Sequence, residues 1–308
     1  MFGGVAEKCN LANNSATAYE YAYGGGVYAN ILQTSISSFI EACIVTNNSV
    51  TTTDNYVYTA ALAAGGGLNI GNGTTVRSTL VAGNTALSVA GFTSGGGVSS
   101  SGSTIENCTI AYNAATSQNG NQGAGGGVIW GYSDACYNNI VKFNNADNGP
   151  DNGEVNAYSY PLFYNSDIGA VVPAANLTNC INVDPVFVNG LGGNYHLQST
   201  SPCIGAGTNQ AWMVGAVDLD GNPRISGTTV DIGAYEFTAN PPIISARLNL
   251  NNLILQWPAS FQGYSLWWTT NLSGSTWISN GAAPSVVNGQ YTLTNPITGA
   301  KSFFRLAK

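Results

Sequence analysis

Charge is what this sequence has least of. Only 7% of its 308 residues are Asp, Glu, Lys or Arg, against roughly a quarter in an ordinary soluble domain. Eight basic and fifteen acidic residues give a formal net charge of −7. That balance repels phosphate backbones and anionic bilayers alike, so nucleic acid is excluded as the expected partner. Long apolar runs are also missing. No stretch approaches the ~20 residues a transmembrane helix needs, and no segment shows helical periodicity. The single histidine, His196, has no Cys-x-x-Cys pair to join it, which argues against a zinc site. The opening MFGGVAEKCN lacks a basic region followed by an apolar one, so no secretory signal is read there. A hydrophobic content of 44% with 10% aromatics excludes wholesale disorder.

What the chain has instead is 39 Gly and 37 Asn, arranged in a repeat. Gly-Gly-Gly followed by Val or Leu occurs at 24, 65, 95 and 125, with a partial copy at 3. Between the glycine runs the blocks AEKCNLANN, IEACIVTNN, VRSTLVAGN, IENCTIAYN and CYNNIVKFN align, placing Asn14, Asn48, Asn84, Asn113 and Asn144 in one column. Apolar columns alternate with polar ones, as in a half-buried strand. Leu11, Val45, Val81, Ile110 and Val141 form one interior column, and Ala6, Ile40, Val76, Ile105 and Cys136 another. Short strands, Gly and Asn turns and a repeat whose later copies recur every thirty residues describe an all-β solenoid in which each repeat is one coil, ~4.8 Å from the next. The glycines serve corners where a Cβ would clash. A phosphate-binding loop, their functional rival, lacks the Gly-Lys-Ser/Thr continuation and a following helix. The asparagine column is expected to sit in the left-handed conformation and to pass amide hydrogen bonds between coils.

The same register places Cys9, Cys43 and Cys108 in an interior column as packing residues, with only Cys9 and Cys43 in adjacent coils. An outward column reads Glu7, Glu41, Arg77, Glu106, Tyr137 and is expected to be a surface charge ladder. Its rival is a polysaccharide-cleaving site that sets a cation beside carboxylates. Tyr19, Tyr21 and Tyr23 alternate with Glu20; because burying Glu20 is costly, the tyrosines are expected to point inward or to belong to a loop. After Asn145 the repeat loosens into ADNGPDNG, first of all turn chemistry. Asp147, Asp151 and Glu154, with Lys142 nearby, are the candidate catalytic set if the chain is an enzyme.

From about Asn179 to Phe237 the phrases become specific: Asp184-Pro185 with Phe187, Tyr195-His196-Leu197, Ser201-Pro202, Asp218-Leu219-Asp220-Gly221-Asn222-Pro223-Arg224 and Asp231-Ile232-Gly233-Ala234-Tyr235-Glu236. This stretch resembles the C-terminal end of secreted bacterial right-handed parallel β-helix proteins of the choice-of-anchor Q type. The resemblance implies a right-handed β-helix in an extracellular or cell-surface protein, and it implies no catalytic residues. Members of that family begin with a signal peptide and an N-terminal cap, so a chain opening inside a repeat is expected to be truncated, with an uncapped coil that can drive end-to-end self-association. Asp218, Asp220 and Asn222 are a candidate calcium site, but the Gly comes too early for an EF-hand loop and its twelfth position is Thr229 rather than Glu. The alternative is a turn in which Arg224 pairs with Asp231 or Glu236.

Asn240-Pro241-Pro242 ends a linker over 238–242. The β-helix with its capping region is expected over 1–237 and a small antiparallel β-sandwich over 243–308. LILQWP, YSLWWTT, TWISN, SVVNGQYTLTN and KSFFRLAK are its strand-like runs, and Asn288-Gly289 signals a hairpin. Alternation sends Trp267 and Trp268 to opposite faces, and an outward one is a candidate for stacking on sugar rings. Three functions remain open at this level: a non-catalytic surface module for adhesion or glycan binding, a polysaccharide lyase or glycoside hydrolase, and a structural fragment of a longer surface protein.

Overall fold

The structure is a computed structural model describing residues 4–29, 37–54, 61–118, 123–131, 133–147, 149–150, 153–155, 161–169, 176–238, 243–259, 264–272, 276–297 and 301–307. The chain divides into two compact units, Met1–Thr238 and Ala239–Lys308.

The first unit is a parallel β-solenoid. Its first coil runs through Val5–Glu7, Asn10–Ala12, Ser15–Ala18, Tyr21–Tyr23 and Val27–Ala29, and each strand pairs in register with its counterpart one coil on. Five sheets result, named here first to fifth in that order; the first has seven strands and ends at Leu177–Thr178. The interior columns fall where alternation puts them: Val45, Val81, Ile110 and Val141 are buried, as are Ile40, Val76, Ile105 and Cys136. All six cysteines are free thiols.

The corners explain the Gly and Asn content. The residue after each first-sheet strand has positive φ: Lys8, Ala42, Ser78, Asn107, Asn138, Asn165 and Asn179. After the second sheet the same conformation falls on Asn13, Asn47, Gly83, Tyr112 and Phe143. The expected asparagine column is therefore offset by one from the left-handed residue, and the two tasks are divided. One residue turns the chain, and the next, Asn14, Asn48, Asn84, Asn113 or Asn144, carries the ladder. Asn84 shows the pattern, its backbone N and Nδ2 both donating to Asn113 Oδ1 at 2.9 Å. In the glycine triplets, Gly65 has φ +68°, whereas a Cβ on Gly66 would strike the Gly96 carbonyl of the next coil.

The Cys9 column does more than pack. Cys9, Cys43, Cys108 and Cys180 each donate S–H to the carbonyl two residues earlier, and Thr79 and Ser166 do the same through hydroxyls. A small side-chain donor at the left-handed corner is what the position requires, and a thiol supplies one.

Residues 181–237 lie over the outer face of the second sheet. Leu80, Ala82, Ala111 and Ile140 point outward from that sheet and are buried by Phe187, Tyr195, Leu197, Ile232 and Ala234. Corner asparagines hold the segment: Asn138 Nδ2 donates to Thr208 O at 3.0 Å, and Asn107 Nδ2 to Asp231 O at 3.1 Å. Its own centre is Arg224, fully buried, bonded to Glu236 Oε1 at 2.7 Å and to the carbonyls of Gly233 and Ala234. Of the two acids proposed from sequence, Glu236 is the ion-pair partner.

This overlay corrects the surface charge ladder. Arg77 bonds Glu106 at 2.6 Å, and its guanidinium lies 4.9 Å from the Trp212 ring. Glu106 is buried, so the column is covered where the overlay crosses it. The tyrosine expectation is corrected too. Tyr21 is 49% and Tyr23 38% exposed, while Ala22 between them is buried. The chain bends at residues 19–20, so Glu20 leaves the alternation and stays exposed without forcing the tyrosines inward.

The second unit is a sandwich of two antiparallel sheets. Ser245–Asn249, Asn252–Pro258, Gln290–Pro296 and Ser285–Val287 form one; Ile278–Ser279, Ser265–Thr269 and Phe303–Ala307 form the other. Leu255, Trp257, Leu266 and Leu293 make their shared core.

Candidate ligand-binding face

In the three-stranded sheet, Leu266 is opposite Leu306 and Trp268 opposite Phe304. Leu266, Leu306 and Phe304 pack in the core, so Trp268 shares the inner face. Trp267 is on the outer one, opposite Arg305 and half-buried, with its Nε1 donating to Ser265 Oγ at 3.2 Å. Arg305 is exposed, and its guanidinium stands 4.4 Å from the Trp277 ring centroid, a cation–π contact that orders both groups. One face thus carries an indole, a planar cation and a second indole.

Of the sequence-predicted pair, only Trp267 belongs to this face. Trp277 and Arg305 were legible merely as members of strand-like runs. The signal that could have found them is parity: Trp277 is two residues from Ser279, which pairs with Trp267.

Of the candidate catalytic set, the structure describes the side chains of Lys142 and Asp147. Lys142 is buried, with Nζ 3.1 Å from Asp167 Oδ1 and bonded to Asn182 Oδ1 at 2.5 Å. Asp147 accepts from Ser117 N at 2.9 Å after the third-sheet strand Asn145–Ala146. Glu154 lies in Gly153–Val155, paired with Ile129, and its side chain, like Asp151, falls outside the described residues. Among the described residues, the ion-pair partner of Lys142 is Asp167. Burial pushes the Asp167 carboxyl above its ordinary range, against the pull of Lys142.

Asp218, Asp220 and Asn222 do come together. Asp218 Oδ1 accepts from the backbone N of Asp220 and Asn222, and Oδ2 from Asn222 Nδ2 and Glu236 N. Both oxygens of this buried carboxylate face N–H donors, which is the bonding of a turn. Asp220 Oδ2 is 2.6 Å from His196 Nε2. Among the described residues no group of three or more His, Cys, Asp or Glu is arranged to hold a metal ion.

A concavity of about 600 Å³ lies in the solenoid unit between the second sheet and the overlay. Ile44, Leu80, Asn47, Tyr112, Tyr195 and Tyr235 line it. Burial raises the phenol pKa of all three tyrosines, that of Tyr235 to about 12, so each hydroxyl remains a donor at neutral pH.

No family model, curated protein or solved structure matches this chain. No helix of the described residues is long and apolar enough to cross a membrane.

Proposed function

We propose that the protein is a non-catalytic extracellular or cell-surface carbohydrate-binding protein, in which the solenoid is a rigid carrier and the small sandwich engages the glycan. The observation that carries this reading is the Trp267–Arg305–Trp277 face: flat groups, partly exposed, two of them on paired strands and Trp277 just before a third, stack on the apolar faces of sugar rings. Strand pairing of Trp267 with Arg305 and the cation–π contact of Arg305 with Trp277 order the face, which lowers the entropy lost on binding. The extracellular setting rests on the resemblance carried by residues 179–237.

Glycan-array binding by the full chain tests it. Trp267→Ala and Trp277→Ala are each expected to lower affinity about tenfold or more, in line with ~1–3 kcal/mol for an aromatic stacking anchor, without changing the melting temperature by more than a few degrees. Trp268→Ala, on the core side, is expected to destabilise the sandwich instead. Absence of binding across neutral and charged glycans, or binding indifferent to both outer tryptophans, overturns the reading.

A further inference from the structure

The charge of this chain is segregated. All fifteen acidic residues lie in the solenoid unit, with four basic ones, Lys8, Arg77, Lys142 and Arg224. Residues 239–308 contain no Asp or Glu and carry Arg247, Lys301, Arg305 and Lys308. The net charge of −7 is therefore −11 on the solenoid unit and +4 on the sandwich. Inside the sandwich no acidic side chain exists to pair with any cation. Arg247, Lys301 and Arg305 are exposed, and Arg305 occupies the centre of the aromatic face.

We infer that the sandwich selects an anionic polysaccharide, one bearing carboxylate or sulfate groups on its sugar rings. This rests on the carbohydrate reading above and adds the chemistry of the ligand. Trp267 and Trp277 supply faces for the rings. Arg305 presents a planar guanidinium, whose N–H groups match the two oxygens of a carboxylate or sulfate. Its stacking on Trp277 fixes the plane of that fork without consuming its hydrogen-bonding edges. Nucleic acid also stacks on aromatics and carries one negative charge per sugar ring, so an oligonucleotide is the competing ligand against which the acidic polysaccharide is tested.

The full-length protein is titrated with polygalacturonate, with its fully methyl-esterified form, with a sulfated glycan and with a single-stranded oligonucleotide, at low and physiological salt. The expected result is at least tenfold tighter binding of an acidic polymer than of the neutral ester, with affinity falling as salt rises. Arg305→Ala is expected to abolish that preference, lowering affinity for the acidic polymer far more than for the ester, and Arg305→Lys to restore it in part. The polygalacturonate and sulfated arms distinguish which anionic group is read. Equal binding of acid and ester, or an unchanged preference in Arg305→Ala, overturns the charge inference and leaves the carbohydrate reading standing. Tightest binding to the oligonucleotide overturns it in favour of a nucleic-acid ligand. Binding to none of the polymers overturns both it and the reading beneath it.

Discussion

Truncating Asn113 in the middle of the amide ladder separates the hydrogen-bonded account of the solenoid from one based on apolar packing alone. Asn113 is 1% exposed. Its Oδ1 accepts from Asn84 N and Nδ2 at 2.9 Å, and its Nδ2 donates to Val81 O at 3.0 Å and Asn144 Oδ1 at 2.9 Å. In Asn113→Ala some partners remain satisfied, because Asn84 Nδ2 keeps Val45 O and Asn144 Oδ1 keeps the backbone N of residue 113. The backbone N–H of Asn84 has no such substitute. One orphaned buried donor costs about 1–3 kcal/mol, and the three further lost bonds about 1 kcal/mol net each, giving a destabilisation of about 4–6 kcal/mol. Asn14 is the internal control. It is exposed, and Asn48 Oδ1 accepts from both its N and Nδ2, so Asn14→Ala removes one bond, strands no donor, and is expected to cost under about 1 kcal/mol. Equilibrium urea unfolding followed by far-ultraviolet circular dichroism gives the difference, and hydrogen exchange at Asn84 N–H localises it. If Asn113→Ala loses no more stability than Asn14→Ala, the ladder is incidental and the reasoning fails.

Gly97→Ala places a Cβ 2.7 Å from Gly127 O and 2.8 Å from Asn113 Nδ2. It is expected to force two coils apart and lower the melting temperature by well over the few degrees of a surface substitution. Arg224→Met leaves the buried Glu236 carboxylate without its cation, a loss of about 3–5 kcal/mol. Limited proteolysis should show cleavage within 179–237 before the coils, and the additional substitution Glu236→Met should restore resistance. Asp134 is buried among N–H and hydroxyl donors, and desolvation raises its pKa from 3.8 to about 6. Because the folded value is the higher one, its contribution is fully present below about pH 4 and is lost as pH rises through about 6. The stability difference between wild type and Asp134→Ala should therefore shrink by about 2–3 kcal/mol across that window, and a difference that grows with pH refutes the assignment.

Most of the solenoid was legible in the sequence because its contacts are periodic. When each coil meets its neighbour in register, a column of aligned residues is a column of contacts, so Val45, Val81, Ile110 and Val141 could be placed in the core, and Glu41, Arg77 and Glu106 outside the coil, before any coordinates. Periodicity stopped short in three places. It gave the outward column a direction but not its surroundings, and Trp212 covers Arg77 only because a non-repeating segment folds back over the coils. It carried Glu20 through a bend where strand alternation no longer applied. It also placed the asparagine column one residue from the turn it was thought to make, because an amide ladder and a left-handed φ suit the same residue type. In the sandwich, alternation separated Trp267 from Trp268. The partners come from elsewhere in the chain, Arg305 from another strand and Trp277 from the residue before one, through pairings whose register sequence spacing does not fix.

The sequence by itself determined an all-β stack with Gly at its corners and Asn along one edge, since these follow from local backbone preference and a repeated pattern. It also determined where the charge resides, with every acidic residue before Thr238 and an acid-free tail. Only the tertiary structure decided that Glu236 is the partner of Arg224, that Lys142 is committed to Asp167, and that Trp267, Arg305 and Trp277 share a face. Each of those contacts joins residues remote in sequence, and burial and strand register select among partners that composition leaves equivalent.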